Sequence, residues 1–112
     1  MSIRILTSDT FDREYKRLSK KYPSLKNDML IFESNLISKP DFGIDLGNNI
    51  RKIRIAIKSK NKGKSGGARV ITYNLIASIH DKIILLVTIY DKSETESISD
   101  SQIKQIVRSN GF

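Results

Sequence analysis

Between Arg51 and Arg69 the chain holds eight basic side chains and no acidic one: Arg51, Lys52, Arg54, Lys58, Lys60, Lys62, Lys64 and Arg69. The formal net charge of the whole chain is +8, so the remaining residues nearly cancel and the excess sits in this one passage. Arginine and lysine at this density are the groups that neutralise phosphates. A face kept merely soluble by charge mixes both signs. An edge strand blunted by lysines is the plainer explanation, but it does not require a passage this long without a carboxylate. In an alternating segment Arg54 and Lys58 fall on one side, so their charges converge. The passage therefore marks a docking place for a polyanion, and nucleic acid is the first candidate.

Other chemistry-bearing residues are less informative. Gly63-Lys64-Ser65 has the look of a nucleotide phosphate loop, but that motif needs a glycine where Lys58 stands and a helix afterwards, and a strand pattern follows instead. His80 beside Asp81 lies in a turn, with no serine or cysteine set next to it by a motif, and reads as an exposed turn histidine. Tyr90-Asp91-Lys92 closes a strand and, taken alone, reads as ordinary strand-end polarity. The chain has no cysteine and a single histidine, which excludes a thiol nucleophile, thiolate zinc sites and a multi-histidine metal site. Neither a metal nor a cofactor is expected.

The elements that must position these residues follow from periodicity. Ile3-Arg4-Ile5-Leu6 reads as a short strand, and Thr7-Ser8-Asp9-Thr10 offers N-cap oxygens. Phe11, Tyr15 and Leu18 then make one face of a helix. Tyr22-Pro23 interrupts it, and a second helix is predicted from about Ser24 to Ile37, with Leu25, Met29, Phe32 and Leu36 on its buried stripe. Pro40 to Asn49 reads as a connector. Ile50 to Ile57 alternates, with Ile53, Ile55 and Ile57 on one face and Lys52, Arg54, Ala56 and Lys58 on the other. Ala68 to Ala77 and Lys82 to Tyr90 form a predicted hairpin, the latter apolar enough for a central strand covered on both sides. Ser99 with Gln102 predicts a capping box for a last helix that Asn110-Gly111 ends.

This order, β-α-α-β-β-β-α, predicts an α+β fold: a twisted, mainly antiparallel sheet packed against an N-terminal helical hairpin, with a C-terminal helix. At 112 residues and 38% apolar composition it is expected to be one domain over residues 1–112. The first residues lack the apolar core of a signal peptide, and no apolar run approaches the length that spans a bilayer. A cytoplasmic protein without membrane contact is expected.

Together, the element order, Gly66-Gly67-Ala68-Arg69-Val70-Ile71-Thr72-Tyr73, Leu85-Leu86-Val87-Thr88-Ile89-Tyr90-Asp91-Lys92 and the capped last helix resemble the RelE/ParE toxin superfamily. The loop Lys62-Gly63-Lys64-Ser65-Gly66-Gly67 is most similar to its HigB branch. The resemblance spans essentially the whole chain. It implies a type II toxin, held by a cognate antitoxin with a helix-turn-helix domain, that enters the ribosome and cleaves messenger RNA as an endoribonuclease. It also implies a catalytic role for Arg69, which opens the Arg-Val-Ile strand, and for Lys92 after the following strand. Basic positions on the preceding strand match Arg54 and, with it, Lys52 or Lys58. The late tyrosine of some RelE enzymes has no counterpart after Tyr90, which leaves Tyr90 as the substitute.

Cleaving RNA requires removing a 2′-hydroxyl proton, stabilising a dianionic phosphorane and protonating the leaving 5′-oxygen. Arginine stays protonated, so Arg69 and Arg54 are suited to hold phosphate. A lysine crowded by other cations gives up a proton more readily, which suits Lys58 or Lys92 to proton transfer. Lys52, Lys60, Lys62 and Lys64 are expected to attract RNA at longer range. A ParE-like poison of DNA gyrase without nuclease activity is the alternative, and an inert member with a decayed site a third. The convergence of Arg54, Lys58 and Arg69 favours RNA.

Overall fold

A computed structural model describes residues 2–61, 63 and 66–112. The chain starts with strand β1 (Ser2–Thr7) and turns into helix α1 (Asp9–Lys21) at Ser8. The Ser8 hydroxyl accepts the Phe11 N–H at 2.9 Å and donates to the Val87 carbonyl at 2.6 Å. One buried serine thus caps the helix and ties its start to the sheet. α1 is strongly amphipathic, burying Phe11 and Leu18. It stops at Tyr22, whose backbone is extended because Pro23 disfavours helical geometry in the residue before it. Helix α2 (Leu25–Ser38) returns antiparallel and buries Leu25, Met29, Phe32 and Leu36, as its spacing predicts.

The stretch expected to be a plain connector contains a strand, β2 (Ile44–Gly47), paired with β3 (Ile50–Ile55). Asn48 and Asn49 join them with φ of 54° and 65°. Positive φ at both central residues is the two-residue turn whose twist suits a hairpin, and asparagine tolerates it better than most residues. β3 is also shorter than its alternation suggests. It leaves the ladder after Ile55, and Lys58–Lys60 form a single 3-10 turn. Strands β4 (Ala68–Ile76) and β5 (Asp81–Asp91) complete the sheet, and helix α3 (Asp100–Ser109) closes the chain behind the predicted Ser99–Gln102 capping box.

The sheet order is β1-β5-β4-β3-β2, with β1 parallel to β5 and every other pair antiparallel. The fold is α+β with the expected order of helices, strands and final helix. α1 and α2 cover one face through a core that includes Leu18, Phe32, Ile53, Ile57, Val70, Ile84 and Leu86. α3 covers part of the other face, packing Ile103 and Val107 on Ile71, Leu85 and Val87. β5 is buried on both sides from Ile84 onward. Its register slips where Ile71 faces Thr88 but Thr72 faces Leu86, so Val87 is an extra residue that adds local twist. No helix is long and apolar enough to cross a membrane.

Candidate active site

Pairing across three strands decides which cations meet. Arg54 on β3 stands opposite Arg69 on β4, and Arg69 stands opposite Tyr90 on β5. Paired Cα atoms lie about 4.5–5.5 Å apart, so the row is about 10 Å long. It lies on the face that α3 covers only in part, because Tyr90 packs in the α3 cluster and Arg54 alternates with Ile53 and Ile55 of the opposite core. Arg54 is exposed, whereas Arg69 and Tyr90 are each 5% exposed. The row therefore slopes from an open cation into a recessed arginine beside a recessed phenol.

Burial pushes the Tyr90 phenol above its ordinary value, and the charge of Arg69 opposes that rise. Tyr90 consequently keeps its proton at neutral pH and is chemically a donor. Arg69 also donates to the Ala68 carbonyl at 3.3 Å. The approach of β3 to the start of β4 depends on Gly67. A Cβ there would fall 2.0 Å from the Ile55 carbonyl oxygen, so any side chain would push the strands apart just below the row.

The other expected residues are distributed around this row. Lys52 lies two residues before Arg54, so on the same face of β3, and is half-buried. Lys92 follows Tyr90 by two residues. Its ammonium donates to the Glu96 carbonyl at 3.0 Å and its N–H to the Gly67 carbonyl at 3.2 Å. Lys58 does not share a strand face with Arg54 as expected, because β3 ends at Ile55 and Lys58 begins the 3-10 turn. The two still border one groove between α2 and the end of β3. His80 sits exposed at the far tip of the β4–β5 hairpin, about 30 Å along β5 from Tyr90. Lys62 and Lys64 lie outside the described residues.

Lys60 departs most from expectation. It was read as a loop lysine without packing, yet its side chain is 7% exposed and its ammonium lies 2.7 Å from Asp91 Oδ1, in a carboxylate that is wholly buried. Tyr22 Oη donates to the other Asp91 oxygen, and Ser93 donates to Oδ1 through both N–H and hydroxyl at 2.9 and 2.7 Å. The ammoniums of Lys60 and Lys21 each stand 5.3 Å from the centre of the Tyr22 ring. Burial alone would raise the Asp91 carboxyl, but the donors from Lys60, Tyr22 and Ser93 outweigh it and hold the group well below the usual carboxylate range. A second knot joins the same turn to α2: Asp28 accepts from Ser24 Oγ at 2.7 Å and from the Lys58 N–H at 3.0 Å, while Ser24 Oγ accepts the Ser59 N–H at 2.8 Å.

These two knots fasten the root of the basic loop to both helices and to the strand end that carries Tyr90. Reading the sequence missed Asp91, Tyr22 and Asp28 as parts of the site. Their partners are 30 to 69 residues away, and no local pattern records such pairings. What the arrangement can do is hold a phosphate between Arg54 and Arg69 and offer it a proton from Tyr90. Residues 3–110 match the family model described as the RelE toxin of the RelE / RelB toxin-antitoxin system.

Proposed function

The chain belongs to the RelE toxin family, and we propose that it exerts its toxicity as a metal-independent endoribonuclease that cuts messenger RNA on the ribosome. As the toxin of a toxin–antitoxin system it has a cognate antitoxin as partner. The loop Lys62 to Gly67 supports placing it near the HigB branch of the wider RelE/ParE superfamily, with an antitoxin carrying a helix-turn-helix domain, and its lack of a membrane-crossing helix is compatible with action in the cytoplasm. The observation that carries the nuclease reading is the register Arg54–Arg69–Tyr90. A protein that only blocks another protein has no need for two arginines and a buried phenol in one row.

In the proposed reaction the 2′-oxygen attacks the adjacent phosphorus, the O2′–P bond forms and the P–O5′ bond breaks. Arg54 and Arg69 bind the non-bridging oxygens as charge builds on them. Tyr90 gives its proton to the leaving 5′-oxygen. The 2′-hydroxyl proton passes to a lysine amine, with Lys92 at the Tyr90 end of the row and Lys58 across the groove from Arg54 as candidates. Lys52 and the loop lysines hold the flanking backbone by charge.

The test is induced expression without antitoxin, with the ends of cellular messages mapped and plasmid supercoiling followed in parallel. New message ends that vanish when ribosomes are blocked are the expected result. Altered supercoiling with intact messages would replace this reading with gyrase poisoning.

A further inference from the structure

α2 is apolar on nearly all sides. Its inner stripe is buried, yet Leu30, Ile31 and Ile37 on its outer side are 65, 56 and 53% exposed. A helix that covers a core and ends at solvent shows a polar outer face, and α1 does so with Asp12, Arg13, Lys16 and Arg17 exposed. Ile31 leads into the groove between α2 and β3, a space of about 380 Å³ walled by Phe32, Phe42, Ala56 and Ile57. β2 pairs with β3 only as far as Lys52, so among the described residues the edge of β3 beyond it has no neighbouring strand. Arg54 and Lys58 line the rim. The one carboxylate there among the described residues, Asp28, is buried and already accepts from Ser24 and Lys58.

We infer that this groove and the outer face of α2 seat an acidic segment of the cognate antitoxin, with apolar side chains on Ile31, Phe42 and Ile57 and carboxylates on Arg54 and Lys58. Charge decides the occupant. A second copy of this chain would bring another +8 and a second Arg54–Lys58 rim against the first, whereas an acidic segment meets an apolar floor with cations at its border. Area supports a peptide-sized partner, because an apolar groove beside an open strand edge accepts an extended or helical segment. The placement deepens the nuclease reading, on which this one consequence rests: the seat shares Arg54 with the proposed phosphate row, so occupancy removes a phosphate contact.

The probe is the purified product of the gene adjacent to this one, titrated calorimetrically into the full chain. Ile31→Glu puts a charge on the apolar floor and is expected to weaken binding at least about 30-fold, the scale of one interface hot spot. Ile79→Glu, at the hairpin tip where Ile79 is 84% exposed, is expected to change it less than about threefold. Lys58→Gln is expected to flatten the salt dependence of the association rate. Melting temperatures of all three variants show that each is folded. Equal affinities of the Ile31→Glu and parent chains overturn the inference, as does no binding by the parent. So does a parent dimer that Ile31→Glu converts to monomer, which would assign the face to a second copy. Since binding is read directly, the result stands whether the toxin cuts RNA or not.

Discussion

Replacing Asp91 by Asn removes the charge from the buried knot while keeping its size. In the parent, Lys60 and Asp91 expose 7% and 0% of their side chains, so after substitution the Lys60 ammonium faces an amide with little water to replace the lost charge. Removing one partner of a buried ion pair costs about 3–5 kcal/mol. Because Asn still accepts from Tyr22 and Ser93, the lower end applies. For a chain of 112 residues each kcal/mol moves the melting temperature by about 4 °C, so a fall of about 12 °C is expected at pH 7. The pH dependence has a definite sign. The folded-state value of Asp91 lies below its ordinary 3.8, so the stability it contributes is complete above 3.8 and is lost as pH falls toward the folded value. The gap between parent and Asp91→Asn is therefore expected to stay constant from pH 7 to about 4 and to narrow below it. Thermal melts followed by circular dichroism measure both quantities, and Lys60→Met with the double variant completes the cycle, the double variant recovering part of the loss. A fall under about 3 °C at pH 7, or a gap that persists unchanged toward pH 2, would refute the buried pair.

Arg69→Ala is expected to leave a folded chain whose message cleavage on purified ribosomes falls about 100- to 1000-fold, the cost of one oriented donor at a transition state; full growth arrest by a folded variant would remove Arg69 from the site. Tyr90→Phe keeps the ring that packs under α3 and deletes only the proton, so single-turnover cleavage should drop about 100- to 10,000-fold with little change in ribosome affinity. A drop in affinity alone would make Tyr90 a binding residue. Lys62→Gln with Lys64→Gln should weaken ribosome binding mostly at low salt, each lost phosphate contact making the slope of log affinity against log salt shallower by about one. Lys60 is left out of that pair because its ammonium belongs to the Asp91 knot; Lys60→Gln should instead lower the melting temperature.

Local rules carried much of this protein. The spacing of Phe11, Tyr15 and Leu18, the stripe of Leu25, Met29, Phe32 and Leu36, the apolar run ending at Ile89 and the Ser99–Gln102 box each report a period or a contact within four residues, and the helices and the long hairpin formed where those signals placed them. The charge of the passage from Arg51 to Arg69 is likewise a property of composition. Tertiary structure decided what those signals could not reach. Alternation continued through Ile57, but β3 stopped at Ile55 because Lys58 and Ser59 are drawn to Asp28 and Ser24 on α2. β2 arose from a turn at Asn48-Asn49 that gains value only once β3 is beside it. Lys60 looked like its neighbours until Asp91, 31 residues later, came within 2.7 Å. The row Arg54–Arg69–Tyr90 exists only in this register, since a slip of one residue would turn each side chain to the opposite face. Periodicity is written locally in the chain, whereas pairing is settled by which buried surfaces and charges meet when the sheet closes.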